Sequence, residues 1–167
     1  MSRWNRGVVA LLSVVALAGC TPTVDAATSE PVTETVEVVA VVDGDTIDVA
    51  TDNGTARVRL IGIDTPEIGR GGEVSECYAD EARTFLNELL YGRQVELISD
   101  PTQADVDTYG RLLRYVHVDG ASAAEAAIAA GAGYEYTYDT AYRDQKAHVE
   151  AEQAASDAHA GLWGACS

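Results

Sequence analysis

The stretch VVDGDTIDVATDNGTARVRLIGIDTPE, residues 41–67, contains two apolar runs that each end beside acidic residues. Asp52-Asn53-Gly54 joins the runs, and Asn-Gly between alternating segments is typical of a β-hairpin, because a type I′ turn requires positive φ at both positions. Folding back here would place DGDT (43–46) and IDTPE (63–67) on neighbouring strands of one sheet. Their carboxylates would then face each other beside Arg59. That arrangement suits a divalent cation, which prefers oxygen ligands, and a phosphate, which prefers a bidentate guanidinium.

The order of the other segments predicts the fold class. β-branched and alternating segments predict strands at 36–42, 46–51 and 55–63. Helical spacing then predicts a helix at 78–90, and strands follow at 94–98 and 111–118. A Ser-x-x-Glu capping box at Ser122 begins a short helix that ends before Gly131, and a last helix spans about 141–159. Five strands with a helix between the third and fourth are typical of an OB-type barrel. We therefore expect an α+β, mainly β fold: a five-stranded OB-type β-barrel with about three packed α-helices.

The chain is short and strongly acidic. Its 167 residues allow one domain of ordinary size plus extensions. The formal net charge is −16, from 27 acidic and 11 basic residues. Such a surface should repel polyanions unless cations intervene.

The N-terminus has the features of an export signal. Arg3 and Arg6 precede an apolar run at 8–18 that is too short to span a bilayer. The run ends in Leu-Ala-Gly-Cys (17–20), which resembles a bacterial lipobox in which Cys20 becomes lipidated. The alternative is an ordinary secretory signal with an incidental cysteine. We expect a lipoprotein signal peptide at 1–19, a lipidated Cys20 with a flexible tether at 20–35, and a folded domain at 36–167. The protein would be exported and lipid-anchored on the extracytoplasmic face of the cell membrane.

Two cysteines remain after Cys20, namely Cys77 and Cys166. In an exported chain this number favours a disulfide, which would tie the start of the first helix to the C-terminal tail. The alternative is two buried free thiols.

Three ordered motifs resemble the thermonuclease (staphylococcal nuclease-like) family. They are DGDT at 43–46, RLIGIDTPE at 59–67 and the pattern D-x-Y-G-R at 107–111, and GLWG at 161–164 resembles the C-terminal end of the family. The resemblance covers roughly residues 36–164. It implies a calcium-dependent nuclease that hydrolyses DNA or RNA with little sequence preference and leaves 3′-phosphate ends.

The resemblance also assigns roles to individual residues. It implies that Asp45, Asp64 and the Thr65 backbone carbonyl bind calcium, with Asp43 close to the metal. The residues that it places at the substrate are Arg59 and Arg111 on the phosphodiester, Glu67 on the attacking water, Tyr109 near a terminal phosphate, and Tyr136 and Tyr138, which align across a one-residue gap. For the two later tyrosines, and for Tyr134 and Tyr142, packing or surface contact is the alternative.

Other function classes remain open. OB-type barrels also bind oligonucleotides or proteins without chemistry, so a non-catalytic module at the cell surface is one alternative. An acidic surface protein that binds calcium only for structure is another, although paired arginines would give such a site no advantage. Oxygen ligands would also accept magnesium or manganese. We expect a monomer whose partners are nucleic acid and, through the lipid, the membrane, with no protein partner.

Overall fold

The computed structural model describes residues 30–166, together with Met1. The predicted signal peptide after Met1, Cys20 and most of the tether lie outside the described residues. The described elements are β1 (Thr33–Val41), β2 (Thr46–Thr51), β3 (Gly54–Leu60), β4 (Ile63–Asp64), α1 (Ala79–Leu90), β5 (Gln94–Ile98), β6 (Leu112–Val118), β7 (Ala121–Ser122), α2 (Ala123–Ala129), β8 (Tyr134–Glu135), α3 (Gln145–Asp157) and α4 (Leu162–Ala165). Among residues 30–166, no helix has the length and apolar character needed to cross a membrane.

Five strands close into a barrel. The strand order is β3-β2-β1-β5-β6, and β3 pairs with β6 in parallel to complete the circle, with Val58 opposite Leu112. The other barrel pairs are antiparallel. β7 pairs with the end of β6 in antiparallel orientation, while β4 and β8 form a separate two-stranded pair. The predicted five-stranded OB-type barrel is confirmed.

Alternation of buried and exposed residues explains the strands. Along β3, Val58 and Leu60 are buried while Arg57 is exposed, so the apolar side chains fill the barrel. α1 packs against β1 and α2, and α2 packs against β6 and α3. The helix at 123–129 begins as predicted, since the Ser122 hydroxyl accepts a hydrogen bond from the Glu125 N–H at 3.2 Å.

The β2–β3 hairpin is present, but its turn differs from the prediction. Thr51 pairs with Gly54, so the loop consists of Asp52 and Asn53. Of the Asn-Gly pair only Gly54 has positive φ, at 115°. The predicted type I′ turn with positive φ at both residues is therefore wrong. The glycine alone carries the left-handed conformation, at the first position of the returning strand.

Three predicted boundaries also shift. β1 begins at Thr33, inside the predicted tether, because residues 33–37 pair with β5. The third strand ends at Leu60, since Gly62 turns the chain with φ of 84° before the short strand β4. The last long helix begins at Gln145 rather than near residue 141. The Arg143 N–H instead donates to the Tyr115 hydroxyl at 2.9 Å, a contact outside the helix.

Candidate active site

Asp45 lies at the centre of the site, in the turn between β1 and β2. Its side chain is buried. One carboxylate oxygen, Oδ2, accepts from the Thr65 N–H at 3.1 Å and from the Thr65 hydroxyl at 3.2 Å. The other, Oδ1, accepts from the Thr46 hydroxyl at 2.9 Å. The two acidic motifs of the hairpin, DGDT and IDTPE, are therefore joined through Asp45 and Thr65.

Gly44 allows this close approach. A Cβ added at Gly44 would lie 2.7 Å from the Thr65 hydroxyl oxygen and 2.9 Å from the Ala82 Cβ. Any side chain at this position would push the DGDT turn away from Thr65. The glycine is needed for space, which is a different reason from the turn geometry at Gly54.

Arg59 connects the buried carboxylate to the exposed one. Its Nη2 lies 3.0 Å from Asp45 Oδ2 and 2.8 Å from Asp64 Oδ1. Its Nη1 donates to the backbone carbonyls of Leu60 at 3.1 Å and Ile63 at 2.6 Å. Only 11% of the Arg59 side chain is exposed, against 48% for Asp64. Three hydrogen bonds and the ion pair with Asp45 thus fix the guanidinium, which cannot rotate freely.

The loop after β4 contributes another cation. Arg70 Nη2 lies 3.4 Å from Oδ2 of Asp43, a buried carboxylate at the start of DGDT. The second oxygen of Asp43, Oδ1, is buried and has no hydrogen-bond partner. A buried carboxylate oxygen without a donor is costly unless a cation or a water satisfies it.

The donors present fit a hard divalent cation in their chemistry. Asp43, Asp45, Asp64 and the Thr65 backbone supply only oxygen, the ligand type that calcium prefers. Burial raises the pKa of Asp45 against the opposing charge of Arg59, and with a smaller contribution from nearby Asp43 the pKa reaches about 7. A bound cation would favour the charged form. Among residues 30–166, however, no three His, Cys, Asp or Glu side chains converge as a ready-made metal site.

Glu67 follows the buried Pro66 at the rim of the site. Burial raises the pKa of the Glu67 carboxyl above its usual value, and the charges of Asp43 and Asp64 add to the effect. Its backbone N–H donates to Oε2 of Glu76 at 2.9 Å. A carboxylate with a raised pKa that lines an open cleft is chemically suited to accept a proton.

Arg111 approaches from the loop before β6, and Asp107 orients it. Asp107 Oδ2 accepts from Arg111 Nε at 2.6 Å, and Oδ1 accepts from the N–H groups of Arg111 and Tyr109, both at 2.9 Å. The Arg111 guanidinium carbon lies 5.3 Å from the centre of the Tyr109 ring. Arg111 Nη1 also lies 3.5 Å from the Thr46 hydroxyl, which is itself bonded to Asp45.

Several of the residues described above line one open cleft of about 560 Å³. Its rim carries exposed aromatic surface, since Tyr109 and Tyr138 are 84% and 81% exposed. The lining includes seven side chains from the sequence motifs or the tyrosine segment: Arg59, Asp64, Glu67, Tyr109, Arg111, Tyr136 and Tyr138. Asp43, Asp45 and Thr65 are buried; Asp45 contacts the lining through Arg59, and Thr65 is bonded to Asp45. Asp43 contacts Arg70, which does not line the cleft.

Three residues from the C-terminal half of the chain contact the turn between Arg59 and Asp64 at its Gly62 carbonyl. The Gly62 carbonyl accepts from the Tyr136 N–H at 3.2 Å and from the Tyr142 hydroxyl at 3.1 Å. His148 Nδ1 lies 3.0 Å from the same carbonyl and 2.9 Å from the Tyr142 hydroxyl. Tyr142 is buried, so the packing alternative holds for this tyrosine.

Every arginine and lysine of residues 30–166 is engaged in an ion pair. Outside the cleft the pairs are Arg57–Asp48, Arg83–Asp80, Arg93–Asp119, Arg114–Asp105, Arg143–Asp144 and Lys146–Glu150. Proteins that bind a phosphate backbone with unpaired lysines and arginines gain most of their affinity from those contacts. The described surface has no such basic patch, so a polyanion would depend on the cleft itself.

The structure brings seven of the predicted catalytic, metal and substrate residues into one cleft, and it connects Asp45 and Thr65 to that cleft through Arg59. Among the residues that contact them, Arg70, Glu76 and Asp107 escaped sequence reasoning. Asp107 is the first residue of the D-x-Y-G-R motif, so that motif contained the signal. The other two act through contacts across a loop, which no local pattern indicates.

The predicted Cys77–Cys166 disulfide is present, with the two Cα atoms 5.8 Å apart. It joins the segment just before α1 to the end of α4. The alternative of two free thiols is therefore excluded in this structure.

Comparison with known proteins agrees with the motifs. A family described as Staphylococcal nuclease homologue matches residues 57–165. The chain is 35% identical over 125 residues to the SPbeta prophage-derived endonuclease YokF of Bacillus subtilis, covering 73% of this chain and 41% of that protein. It is 29% identical over 155 residues to the thermonuclease of Staphylococcus hyicus, covering 93% of this chain and 90% of that protein.

A third relative is the endonuclease YncB of Bacillus subtilis, which is 34% identical over 119 residues. The match covers 70% of this chain and 56% of that protein, so the chain spans only part of both Bacillus endonucleases. The family match extends over more than half of the sequence and includes β4, Glu67 and Arg111. The chain belongs to the staphylococcal nuclease homologue family.

Proposed function

We propose that this chain is a calcium-dependent phosphodiesterase that hydrolyses DNA or RNA with little sequence specificity and leaves 3′-phosphate ends. The observation that carries the proposal is that Arg59, Glu67 and Arg111 line one cleft. The same Arg59 guanidinium contacts the carboxylates of Asp45 and Asp64. The relatives named as endonucleases and a thermonuclease support hydrolysis of nucleic acid.

The two arginines would hold the phosphodiester. Each guanidinium is fixed in direction before substrate arrives, Arg59 by backbone carbonyls and carboxylates and Arg111 by Asp107. Donors that are already fixed lose little conformational freedom when substrate binds. Their hydrogen bonds strengthen as negative charge gathers on the equatorial oxygens at phosphorus. Their N–H groups donate to those oxygens while the phosphorus is five-coordinate.

Glu67 would accept the proton of the attacking water. Glu67 lines the cleft together with Asp64, and its raised pKa lies closer to neutral pH, where a general base is most efficient. Water would attack phosphorus opposite the 5′ oxygen, so the bond to the 5′ oxygen breaks and the phosphate stays on the 3′ oxygen. The departing 5′ oxygen takes up a proton from solvent and leaves as a hydroxyl.

The acidic residues would hold the cation. Asp45, Asp64 and the Thr65 carbonyl are the proposed ligands, with Asp43 close by; when bound, calcium supplies charge neutralisation and Lewis-acid activation at the phosphate. The buried, unpartnered Oδ1 of Asp43 supports a need for positive charge at this place. Tyr109, Tyr136 and Tyr138 would supply aromatic surface to the bases.

The proposal includes a location. Export by the segment 1–19 and lipidation of Cys20 would place a monomeric enzyme on the outer side of the cell membrane. Its substrate would then be extracellular nucleic acid. The N-terminal sequence supports this part of the proposal.

The test compares the purified protein with Glu67→Gln, each with single-stranded DNA in calcium and in chelator. We expect cleavage by the wild type only in calcium, and a kcat lowered about 10²- to 10⁴-fold in Glu67→Gln. Glu73→Gln, the same substitution at an exposed position of the next loop, is the matched control. Products should prime DNA synthesis only after phosphatase treatment.

Cleavage that persists in chelator would contradict the calcium dependence. An undiminished kcat in Glu67→Gln would remove Glu67 from the mechanism. Binding of calcium and DNA by the wild type without any cleavage would favour the non-catalytic binding module instead.

A further inference from the structure

One residue binds both backbone polar groups of Glu67. The Glu67 N–H donates to the Glu76 carboxylate at 2.9 Å, and the Glu67 carbonyl accepts from the Glu76 N–H at 2.9 Å. The two residues stand nine positions apart and close the base of the intervening loop. The Glu67 backbone is therefore held by Glu76 from two sides.

The contact to the Glu76 side chain is the stronger kind of hydrogen bond. An N–H that donates to an ionised carboxylate makes a shorter and stronger bond than one that donates to a neutral oxygen. Thr65, two residues earlier, is fixed through Asp45. Glu67 lies shortly after the end of β4, and its two bonds to Glu76 are made where the loop towards α1 begins.

Glu76 is itself held by a hydrogen bond to α1 and by the neighbouring disulfide. Its carbonyl accepts from the Ala79 N–H at 3.2 Å, at the first turn of α1. The next residue, Cys77, is covalently joined to Cys166 at a sequence separation of 89. The support for Glu67 therefore extends through Glu76 to α1 and to the C-terminal segment.

The rest of the loop does not offer a replacement. Within it, the Gly69 N–H donates to the Ser75 hydroxyl at 3.2 Å and the Glu73 N–H donates to the Arg70 carbonyl at 3.2 Å. These bonds shape the loop but do not reach the Glu67 backbone. Arg70 reaches Asp43 through a largely exposed side chain.

We propose that Glu76 is a positioning residue for Glu67, held in place by α1 and by the Cys77–Cys166 disulfide. The inference rests on the proposed function, in which Glu67 acts on the attacking water. Glu76 contacts neither substrate nor water in this role. It fixes the backbone from which the Glu67 carboxylate extends, and so sets the distance from that carboxylate to the phosphodiester.

Kinetics of two substitutions test the role. Glu76→Ala removes the acceptor, and we expect kcat to fall about 10- to 100-fold with KM within about twofold, because displacement of a catalytic group by about 1 Å has this cost. Glu76→Gln keeps an oxygen acceptor, and we expect its kcat within about threefold of the wild type. Glu73→Ala, which removes an exposed carboxylate of the same loop, is the matched control and should leave kcat unchanged.

Amide hydrogen exchange at Glu67, followed by NMR, gives a readout that needs no activity. Loss of the acceptor should accelerate exchange of this amide at least about tenfold in Glu76→Ala, while Glu76→Gln and Glu73→Ala should resemble the wild type. A purely structural role would instead accelerate exchange across α1 and the barrel.

The outcomes separate the two proposals. Wild-type cleavage combined with unchanged kcat in Glu76→Ala, or with unchanged exchange at the Glu67 amide, would overturn the positioning role alone. A wild type that does not cleave would overturn the proposed function and, with it, the catalytic meaning of the contact. Loss of kcat confined to Glu76→Ala, with faster exchange at Glu67, is the expected result.

Discussion

Arg59 Nη2 lies 3.0 Å from Oδ2 of Asp45, so a guanidinium that lines the cleft is anchored to a carboxylate buried beside it. The same nitrogen lies 2.8 Å from Asp64. The planar guanidinium of arginine can contact both carboxylates and two backbone carbonyls at once, whereas the ammonium group of lysine is a single point charge. Substituting lysine for Arg59 therefore separates the presence of positive charge from its geometry.

We expect Arg59→Lys to lower kcat about 10²- to 10³-fold, the range for loss of one fixed donor at a developing negative charge. Initial rates with single-stranded DNA measure the effect. The control is Arg57→Lys on the same strand, since Arg57 makes a similar two-point contact with Asp48 outside the cleft. If both variants lost the same activity, the geometry at Arg59 would have no special role.

Asp107 should influence catalysis without touching the substrate. It accepts from Arg111 Nε at 2.6 Å and from the Arg111 N–H at 2.9 Å. Asp107→Asn removes the charge that orients the guanidinium, and we expect kcat to fall about tenfold, corresponding to roughly 1.4 kcal/mol. The same change at Asp105, which pairs with Arg114 away from the cleft, should leave kcat within about twofold. An Asp107→Asn enzyme with wild-type kcat would contradict the orienting role.

The Cys77–Cys166 disulfide should contribute strongly to stability. It closes a sequence separation of 89 residues, and in the chain-entropy model such a loop stabilises by about 4–5 kcal/mol, with smaller values often measured. Urea unfolding of the oxidised protein and of Cys77→Ser/Cys166→Ser should show this difference in the free energy of unfolding. Midpoints that coincide would show that packing of α4 alone holds the C-terminus.

The barrel was predictable because its signals are local. Alternation along β2 and β3 and the turn residues between them lie within one short stretch, as do the acidic motifs of the site. Two of the boundaries that were placed wrongly depend on distant contacts. The start of β1 follows from pairing with β5, and the start of α3 follows from the bond between Arg143 and Tyr115.

The residues that hold the site in place were harder to predict from the sequence than the residues that line it. Asp45 and Arg59 belong to motifs whose residue types already indicate cation and phosphate chemistry. Glu76 and His148 act through hydrogen bonds to backbone groups of Glu67 and Gly62. A backbone N–H or carbonyl is present at nearly every residue and places no constraint on the sequence around it, so neither contact leaves a pattern.

His148 should make stability depend on pH near neutrality. Its side chain is fully buried, and burial lowers the pKa of its imidazole, while the Gly62 carbonyl and the charges of Asp144, Glu125 and Glu135 oppose the shift only in part. A depressed pKa means that the unfolded chain takes up the proton first. As pH falls below about 6.5, the ordinary histidine value, the free energy of unfolding should decrease, and the decrease should stop once folded His148 is also protonated.

Urea unfolding at several values from about pH 8 to about pH 5 measures this dependence. The raised pKa of Asp45 acts with the opposite sign in part of this range, so the informative quantity is the difference between the wild type and His148→Gln. That difference should narrow as pH falls through about 6.5, because only the wild type loses the His148 contribution. His159→Gln, the same change at an exposed histidine, should leave the pH dependence as it is. A difference that stays constant across the range would show that buried His148 does not change its protonation on unfolding.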